Sequence, residues 1–318
     1  MLCIGYDIGG TKCAVSLGRV EGERMEILDK TQFPTQGAPE DVLSQMADCA
    51  EGLLKKRGLS FRDVASAGIS CGGPLDSARG VVLSPPNLPG WDAIPAVEIL
   101  EKRTGVSTKL QNDANACAVA EWKFGAGRGS RNMVFLTFGT GLGAGLILDG
   151  RLYCGASDMA GEVGHMFISD STGYPCSCGV TGCVESISSG VHMARYATDR
   201  IKEGMDSRIL DHAGTLSNVD MVAVGRALAS GDSLALEVVN RGAEYLGRMF
   251  HSLNMIFDIN VFVYGGGVTQ LGKRFVDRMV ACYRHYSLMD QRFPAQFLAA
   301  ELGGNAGLIG AALLVPRE

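Results

Sequence analysis

The chain has 318 residues, 46% of them apolar and 20% charged, with a formal net charge of −5 and a pI near 5.6. That length exceeds one ordinary core and fits two domains, and the apolar fraction excludes a disordered chain. The acidic balance, without any basic run, excludes the electrostatic footprint of a nucleic-acid binder, and no window reaches the ~18 uninterrupted apolar residues of a membrane span.

Read in chain order, residues 2–8 form a buried strand, 13–20 its hairpin partner across Ile8-Gly9-Gly10-Thr11-Lys12, and 26–33 a third strand. Val42, Met46, Cys49, Leu53 and Leu54 fall on one face of a helix over 39–57 that stops at Gly58. A strand at 64–70, a helix at 94–103 and a strand at 109–111 follow, and Asn112 or Asp113 caps a helix over 114–124. From Asn132 a buried strand and its hairpin mate lead into a polar, turn-rich loop. Then come one long helix over 233–257, a strand over 259–264 and a helix from about Lys273. Hairpins mixed with crossovers predict α/β domains with mixed sheets.

The N-terminus has neither the basic start nor the long apolar stretch of a secretory signal. Cys3, Cys13, Cys49, Cys71 and Cys117 lie in apolar, regular segments, where a free thiol packs as a small hydrophobe. A reduced, cytoplasmic protein is expected. His165, Cys176, Cys178 and Cys183 are spaced H-x10-C-x-C-x4-C, a soft four-ligand set suited to a structural Zn²⁺ and unlike any DNA-binding finger. Glu162 and Glu185 bracket it.

Three glycine turns each follow a strand: Asp7-Ile8-Gly9-Gly10-Thr11-Lys12, Thr137-Phe138-Gly139-Thr140-Gly141-Leu142-Gly143 and Tyr264-Gly265-Gly266-Gly267-Val268. Glycine lets backbone N–H groups close on phosphate oxygens, and a threonine hydroxyl adds a donor. Asp7, ending the first strand, can hold Mg²⁺ through water. The second turn also satisfies a dinucleotide fingerprint, but that fingerprint must open a helix and here a strand follows. The P-loop pattern is absent. The turns together favour phosphoryl transfer without a P-loop. Asp113 can accept the proton of an attacking hydroxyl, and Asn112, Glu162 and Glu185 can bind the other hydroxyls of a polyol. Donors at the helix start are expected to lower the pKa of Asp113.

DIGGTK at 7–12, GISCGGPLD at 68–76, SPPNLPGW at 84–91, NDANA at 112–116, GTGLGAG at 139–145, GEVGH at 161–165, CSCGVTGCVE at 176–185, YGGGV at 264–268 and AGLIGAA at 306–312 occur in order along the whole chain. Together they resemble the ROK family of bacterial sugar kinases and sugar-responsive repressors. The cysteine segment is specific to that family, whereas the phosphate turns are shared with the wider actin-like ATPases.

The resemblance implies a two-domain actin-like (ribonuclease H-like) fold with a sugar cleft between the domains and ATP above it. The domains would be 1–112 plus about 305–318, and 113–304. It implies Asp113 as catalytic base, with Gly73, Asn87, Asn112, Asp113, Glu162, His165 and Glu185 on the sugar. His165 would ligate zinc through one ring nitrogen and meet the sugar with the other. Asp7, Gly9, Gly10, Thr11, Lys12, Thr140, Gly141, Gly265, Gly266, Gly267 and Val268 would hold the nucleotide and its Mg²⁺. Asn305 departs from the acidic residue that family members often carry there.

The activity implied is ATP-dependent phosphorylation of a hexose at its 6-hydroxyl, with glucose first and N-acetylmannosamine the close alternative. N-acetylglucosamine and allose remain open. A homodimer or homotetramer is expected, with no nucleic-acid or membrane partner. The family's repressors carry a winged helix ahead of the first strand, which here begins at Leu2, and a catalytically dead binding module would have lost the base or the turns. His192, His212, His251 and His285 read as surface or satisfied core histidines, and Trp91 as a packing residue.

Overall fold

The computed structural model describes residues 1–22, 24–169, 174–287 and 290–314. In chain order these form β1 (Leu2–Ile8), β2 (Lys12–Glu21), β3 (Arg24–Pro34), α1 (Pro39–Lys55), β4 (Val64–Cys71), β5 (Leu75–Asp76), β6 (Val81–Val82), α2 (Ala96–Thr104), β7 (Thr108–Asn112) and α3 (Asp113–Phe124). Then follow β8 (Met133–Phe138), β9 (Leu142–Leu148), β10 (Arg151–Tyr153), α4 (Glu185–Ser188), α5 (Gly190–Lys202), α6 (Ile209–Ala213), α7 (Met221–Ala229), α8 (Ser233–Phe257), β11 (Val261–Gly265), α9 (Lys273–Tyr286), β12 (Gln296–Ala299) and α10 (Ala306–Ala312). One five-stranded sheet has the order β3-β2-β1-β4-β7 and another the order β10-β9-β8-β11-β12.

The chain divides into two compact units. The first comprises Met1–Phe135, Gly145–Gly161 and Ala300–Glu318, and the second Leu136–Ala144 and Glu162–Ala299.

In the first unit β1 pairs antiparallel with β2 and parallel with β4, which pairs parallel with β7. Alternation along β1 sends Ile4, Tyr6 and Ile8 into a core with Val42, Met46 and Leu54 of α1, while Cys3 faces Ala120 of α3 and Ile309 of α10. With helices on both faces, β1 is buried almost throughout, as strands flanked by crossovers are. Trp91 lies in the first of these cores. The second layer of helices sits unusually close. A β-carbon at Gly68 would stand 1.8 Å from the Ala311 carbonyl oxygen, and one at Gly310 would stand 1.7 Å from that of Ala116. Asn305, just before α10, accepts a hydrogen bond from the Lys30 ammonium at 3.1 Å.

The second unit is built around α8, whose start is capped by Asp232 accepting the Ala235 N–H at 2.7 Å. Phe250 on α8 meets Phe138, Phe262 and Phe297 edge-on, with ring centroids 6.3, 4.9 and 5.2 Å away, which fixes the angles of the ring faces as well as the buried area. All ten cysteines are free. Among the described residues no helix is long and apolar enough to cross a membrane.

Candidate active site

In the first unit, the carboxyl ends of three parallel strands lie side by side. Asp7 on β1 is opposite Ser70 on β4, and Cys71 on β4 is opposite Asn112 on β7. Ligands of parallel sheets bind at such ends. The turn from β1 to β2 is closed by Gly9 N–H donating to the Lys12 carbonyl at 3.2 Å and is braced by Thr35, whose hydroxyl donates to the Gly9 carbonyl at 2.6 Å. Gly10 must be glycine, since a β-carbon there would stand 2.4 Å from the Asn87 carbonyl oxygen. The turn therefore touches the Asn87 loop. A β-carbon at Gly73 would stand 3.5 Å from Asn112 Nδ2. Asp7, Gly9, Gly10, Thr11, Lys12, Gly73, Asn87, Asn112 and Asp113 thus come from adjoining strand ends and loops, and Thr11, Lys12, Asn87 and Asp113 are exposed.

Asn112 caps α3: its Oδ1 accepts the Ala114 N–H at 2.9 Å and the Asn115 N–H at 3.4 Å. The Asp113 carboxylate also accepts the Ala114 N–H, at 2.7 Å. The expectation that such donors leave Asp113 with a lowered pKa is not met. The carboxyl reaches solvent, but the protein crowded around it strips away hydration and raises its pKa, more than the Ala114 N–H lowers it. Asp7 is raised too, by burial first and then by the Asp113 charge, with Ser70 and Lys12 pulling the other way.

In the second unit, the ligand atoms of His165, Cys176, Cys178 and Cys183 all lie within 4.8 Å of one another. His165 Nδ1 is 3.3 Å from Cys176 Sγ, and Cys178 Sγ is 3.6 Å from Cys183 Sγ. A tetrahedral Zn²⁺ bound to nitrogen and sulfur would set these edges at about 3.5–3.8 Å, so the residues fit such an ion. With Nδ1 turned to the cluster, His165 Nε2 lies 3.8 Å from Glu162 Oε2. Glu185 opens α4 and joins two loops. Its Oε1 accepts from the Ser177 hydroxyl at 3.0 Å, and its Oε2 accepts the Leu142 N–H at 3.0 Å, at the end of the Gly139-Thr140-Gly141 turn.

The other two turns of this unit also meet. Gly266, at a φ of 93°, lies so close to β8 that a β-carbon would stand 2.4 Å from the Phe138 carbonyl oxygen. Gly190 N–H, at the start of α5, donates to the Gly139 carbonyl at 2.9 Å. From this junction runs a groove of about 1150 Å³, lined by Thr140, Gly190, Gly225, Gly267, Val268 and Leu271 among others. Of the expected nucleotide residues, Thr140, Gly267 and Val268 line it directly, and Gly141, Gly265 and Gly266 are their chain neighbours. Its walls from α5 and α7 were not foreseen. Those segments hold no motif, and their only signal is exposed valine, Val191 and Val222, on otherwise amphipathic helices.

The ROK family model matches residues 3–318. The chain is 32% identical to a glucokinase of Halalkalibacterium halodurans, over 99% of this chain and 95% of that one. It is 32% identical to an N-acetylmannosamine kinase of Escherichia fergusonii, over 100% and 99%. The crystal structure of a ROK family glucokinase from Streptomyces griseus in complex with glucose and AMPPNP is 34% identical, covers 99% of each chain and superposes with a TM-score of 0.81. These neighbours are sugar kinases of the actin-like ATPase fold, and the mixed sheets described above are of that class. By the family match over nearly its whole length, the chain belongs to the ROK family.

Proposed function

We propose that the chain transfers the γ-phosphoryl group of ATP to the 6-hydroxyl of a hexose, with glucose as the preferred acceptor. The observation that carries this reading is the full-length likeness to ROK glucokinases, one of them holding glucose and AMPPNP. It is supported by an exposed carboxylate, Asp113, at the strand ends beside a glycine turn. The bond formed joins O6 to the γ-phosphorus, the bond broken joins that phosphorus to the bridging oxygen of ADP, and the hydroxyl proton passes to Asp113. Such transfer is mostly positioning and charge stabilisation, so the base orients the hydroxyl and takes its proton late.

Gly73, Asn87 and Asn112 in the first unit, and Glu162, His165 and Glu185 in the second, are proposed to bind sugar hydroxyls. Asp7, Gly9, Gly10, Thr11 and Lys12, together with Thr140, Gly141 and Gly265 to Val268, are proposed for the nucleotide. Asp7 would hold Mg²⁺ through water, and the ion would supply charge neutralisation at the phosphates. A Zn²⁺ held by His165, Cys176, Cys178 and Cys183 would be structural, fixing the His165 ring so that Nε2 stays on the sugar side. We place the protein in the reducing cytoplasm, supported by its ten free cysteines, and as a homodimer or homotetramer, supported by the exposed Met255 and Ile256 on α8.

A coupled ADP-release assay across glucose, N-acetylmannosamine, N-acetylglucosamine, allose and fructose tests the acceptor. Glucose should give the highest kcat/KM. The equal likeness to an N-acetylmannosamine kinase sustains one second reading, which replaces the first if a 2-acetamido sugar is faster.

A further inference from the structure

Helix α5 turns two stripes to two different neighbours. Val191, Ala194, Thr198 and Lys202 line the groove, and so do Arg195 and Asp199. His192, Arg195 and Asp199, at i, i+3 and i+7, also share the stripe that meets the loop entering the cysteine cluster. There the Tyr174 hydroxyl donates to Asp199 Oδ2 at 2.8 Å. The Arg195 guanidinium lies over the Tyr174 ring, 4.5 Å from its centroid. The His192 ring stands 6.4 Å from the same ring, and its Nδ1 is 2.9 Å from the Ser189 hydroxyl just before α5. Arg195 and Asp199 therefore belong at once to the groove wall and to the seat of Tyr174.

This seat has an electrostatic consequence. Arg195 and Asp199 are opposite charges four residues apart on a helix, a spacing at which such side chains ordinarily pair. Among the described residues no ion pair joins them: Asp199 Oδ1 lies 3.4 Å from the Lys202 ammonium, and Tyr174 holds the other carboxylate oxygen with its hydroxyl and the Arg195 guanidinium with its ring face. Without Tyr174 the Arg195 guanidinium would lose the ring face it rests on and would compete with Lys202 for Asp199, so its place on the groove wall would no longer be fixed. Tyr174 stands two residues before Cys176, so whatever fixes the cysteine loop fixes this arrangement as well.

We propose that Tyr174 is a positioning residue for the nucleotide: it holds Arg195 and Asp199 apart on the groove wall and ties that wall to the cysteine loop. The proposal rests on reading the groove as the nucleotide site. Three proteins, each brought to full zinc loading, are titrated with AMPPNP by calorimetry: wild type, Tyr174→Ala and Tyr174→Phe. Tyr174→Ala should weaken AMPPNP by about 5- to 20-fold and Tyr174→Phe by less, since the phenyl ring keeps the guanidinium contact. Sugar KM and zinc content should hold.

Gly225→Phe separates the two levels of the argument. A β-carbon at Gly225 meets only Leu271, at 3.4 Å, so the phenyl group can fill the groove without disturbing α7. If Gly225→Phe binds AMPPNP like wild type, the groove is not the nucleotide site and both readings fall. If it abolishes binding while Tyr174→Ala and Tyr174→Phe stay within about twofold of wild type, less than a single hydrogen bond to a charged group contributes, the role of Tyr174 alone is overturned. Should Tyr174→Ala lose zinc, Tyr174→Phe at full zinc content decides.

Discussion

Asn112 and Asp113 share one donor: the Ala114 N–H points at Asn112 Oδ1, 2.9 Å away, and at Asp113 Oδ1, 2.7 Å away. Asn112 alone also takes the Asn115 N–H, so the cap of α3 survives without the Asp113 carboxylate. Asp113→Asn should therefore lower kcat by roughly 10²–10⁴-fold, the span of general acid–base catalysis, while thermal stability stays within about 0.5 kcal/mol of wild type. Asn112→Ala should instead cost about 1 kcal/mol of stability, as lost caps do. ADP-release kinetics and calorimetric melting check both. An Asp113→Asn enzyme keeping more than about a tenth of wild-type turnover, outside that span, has its base elsewhere.

The pH profile follows from the raised carboxyl of Asp113. The base works only when ionised, so kcat/KM should fall as pH drops through its pKa. Desolvation has moved that pKa up, and the acid limb should therefore lie above the ordinary aspartate value of about 3.9. A limb at or below that value contradicts the surroundings described for Asp113. The limb should disappear from the residual activity of Asp113→Asn.

Metal analysis of freshly purified protein should find one zinc per chain. Cys178→Ser, at the most exposed ligand, should lose it. Because closing such a site supplies folding energy to its own loop, hydrogen exchange should quicken around 161–185 and leave β1 and β4 protected. Disulfides among Cys176, Cys178 and Cys183 would contradict the metal reading.

Gly68→Ala tests the close approach of α10. The added methyl group would meet the Ala311 carbonyl at 1.8 Å, backbone against backbone, with no side chain free to move aside. Overpacking of this kind costs about 1–3 kcal/mol or more, measurable as a lower urea midpoint. An unchanged midpoint would mean that α10 shifts freely.

Legibility followed the range of the interactions. The β1–β2 hairpin and the 25 residues of α8 were readable because alternation and 3.6-residue spacing are local, and α8 runs over Ser233–Phe257 as expected. Helix α10 was not assigned. Its sequence, AGLIGAA, is apolar on every side because it is buried nearly all round, and it therefore lacks the contrast that marks a helix. Strand β12, four half-exposed residues, shows no alternation. The clustering of His165, Cys176, Cys178 and Cys183 could be read because all four lie within one short segment. The groove could not, since its walls come from segments near 140, 190–202, 216–229 and 267–271 that no motif links. The raised pKa of Asp113 was missed for the same reason: N-terminal donors are visible in a sequence, whereas the protein mass that removes water is not.

The two-handed grip of Glu185 limits how this protein can be re-engineered. On the sugar role proposed above, a designer seeking a new acceptor would shorten or neutralise Glu185. The same change would free the Leu142 N–H and the Ser177 hydroxyl, loosening the Gly139-Thr140-Gly141 turn and the cysteine loop together. Selection for altered acceptor choice should therefore leave Glu185 in place and collect its substitutions around it, at positions that brace neither loop.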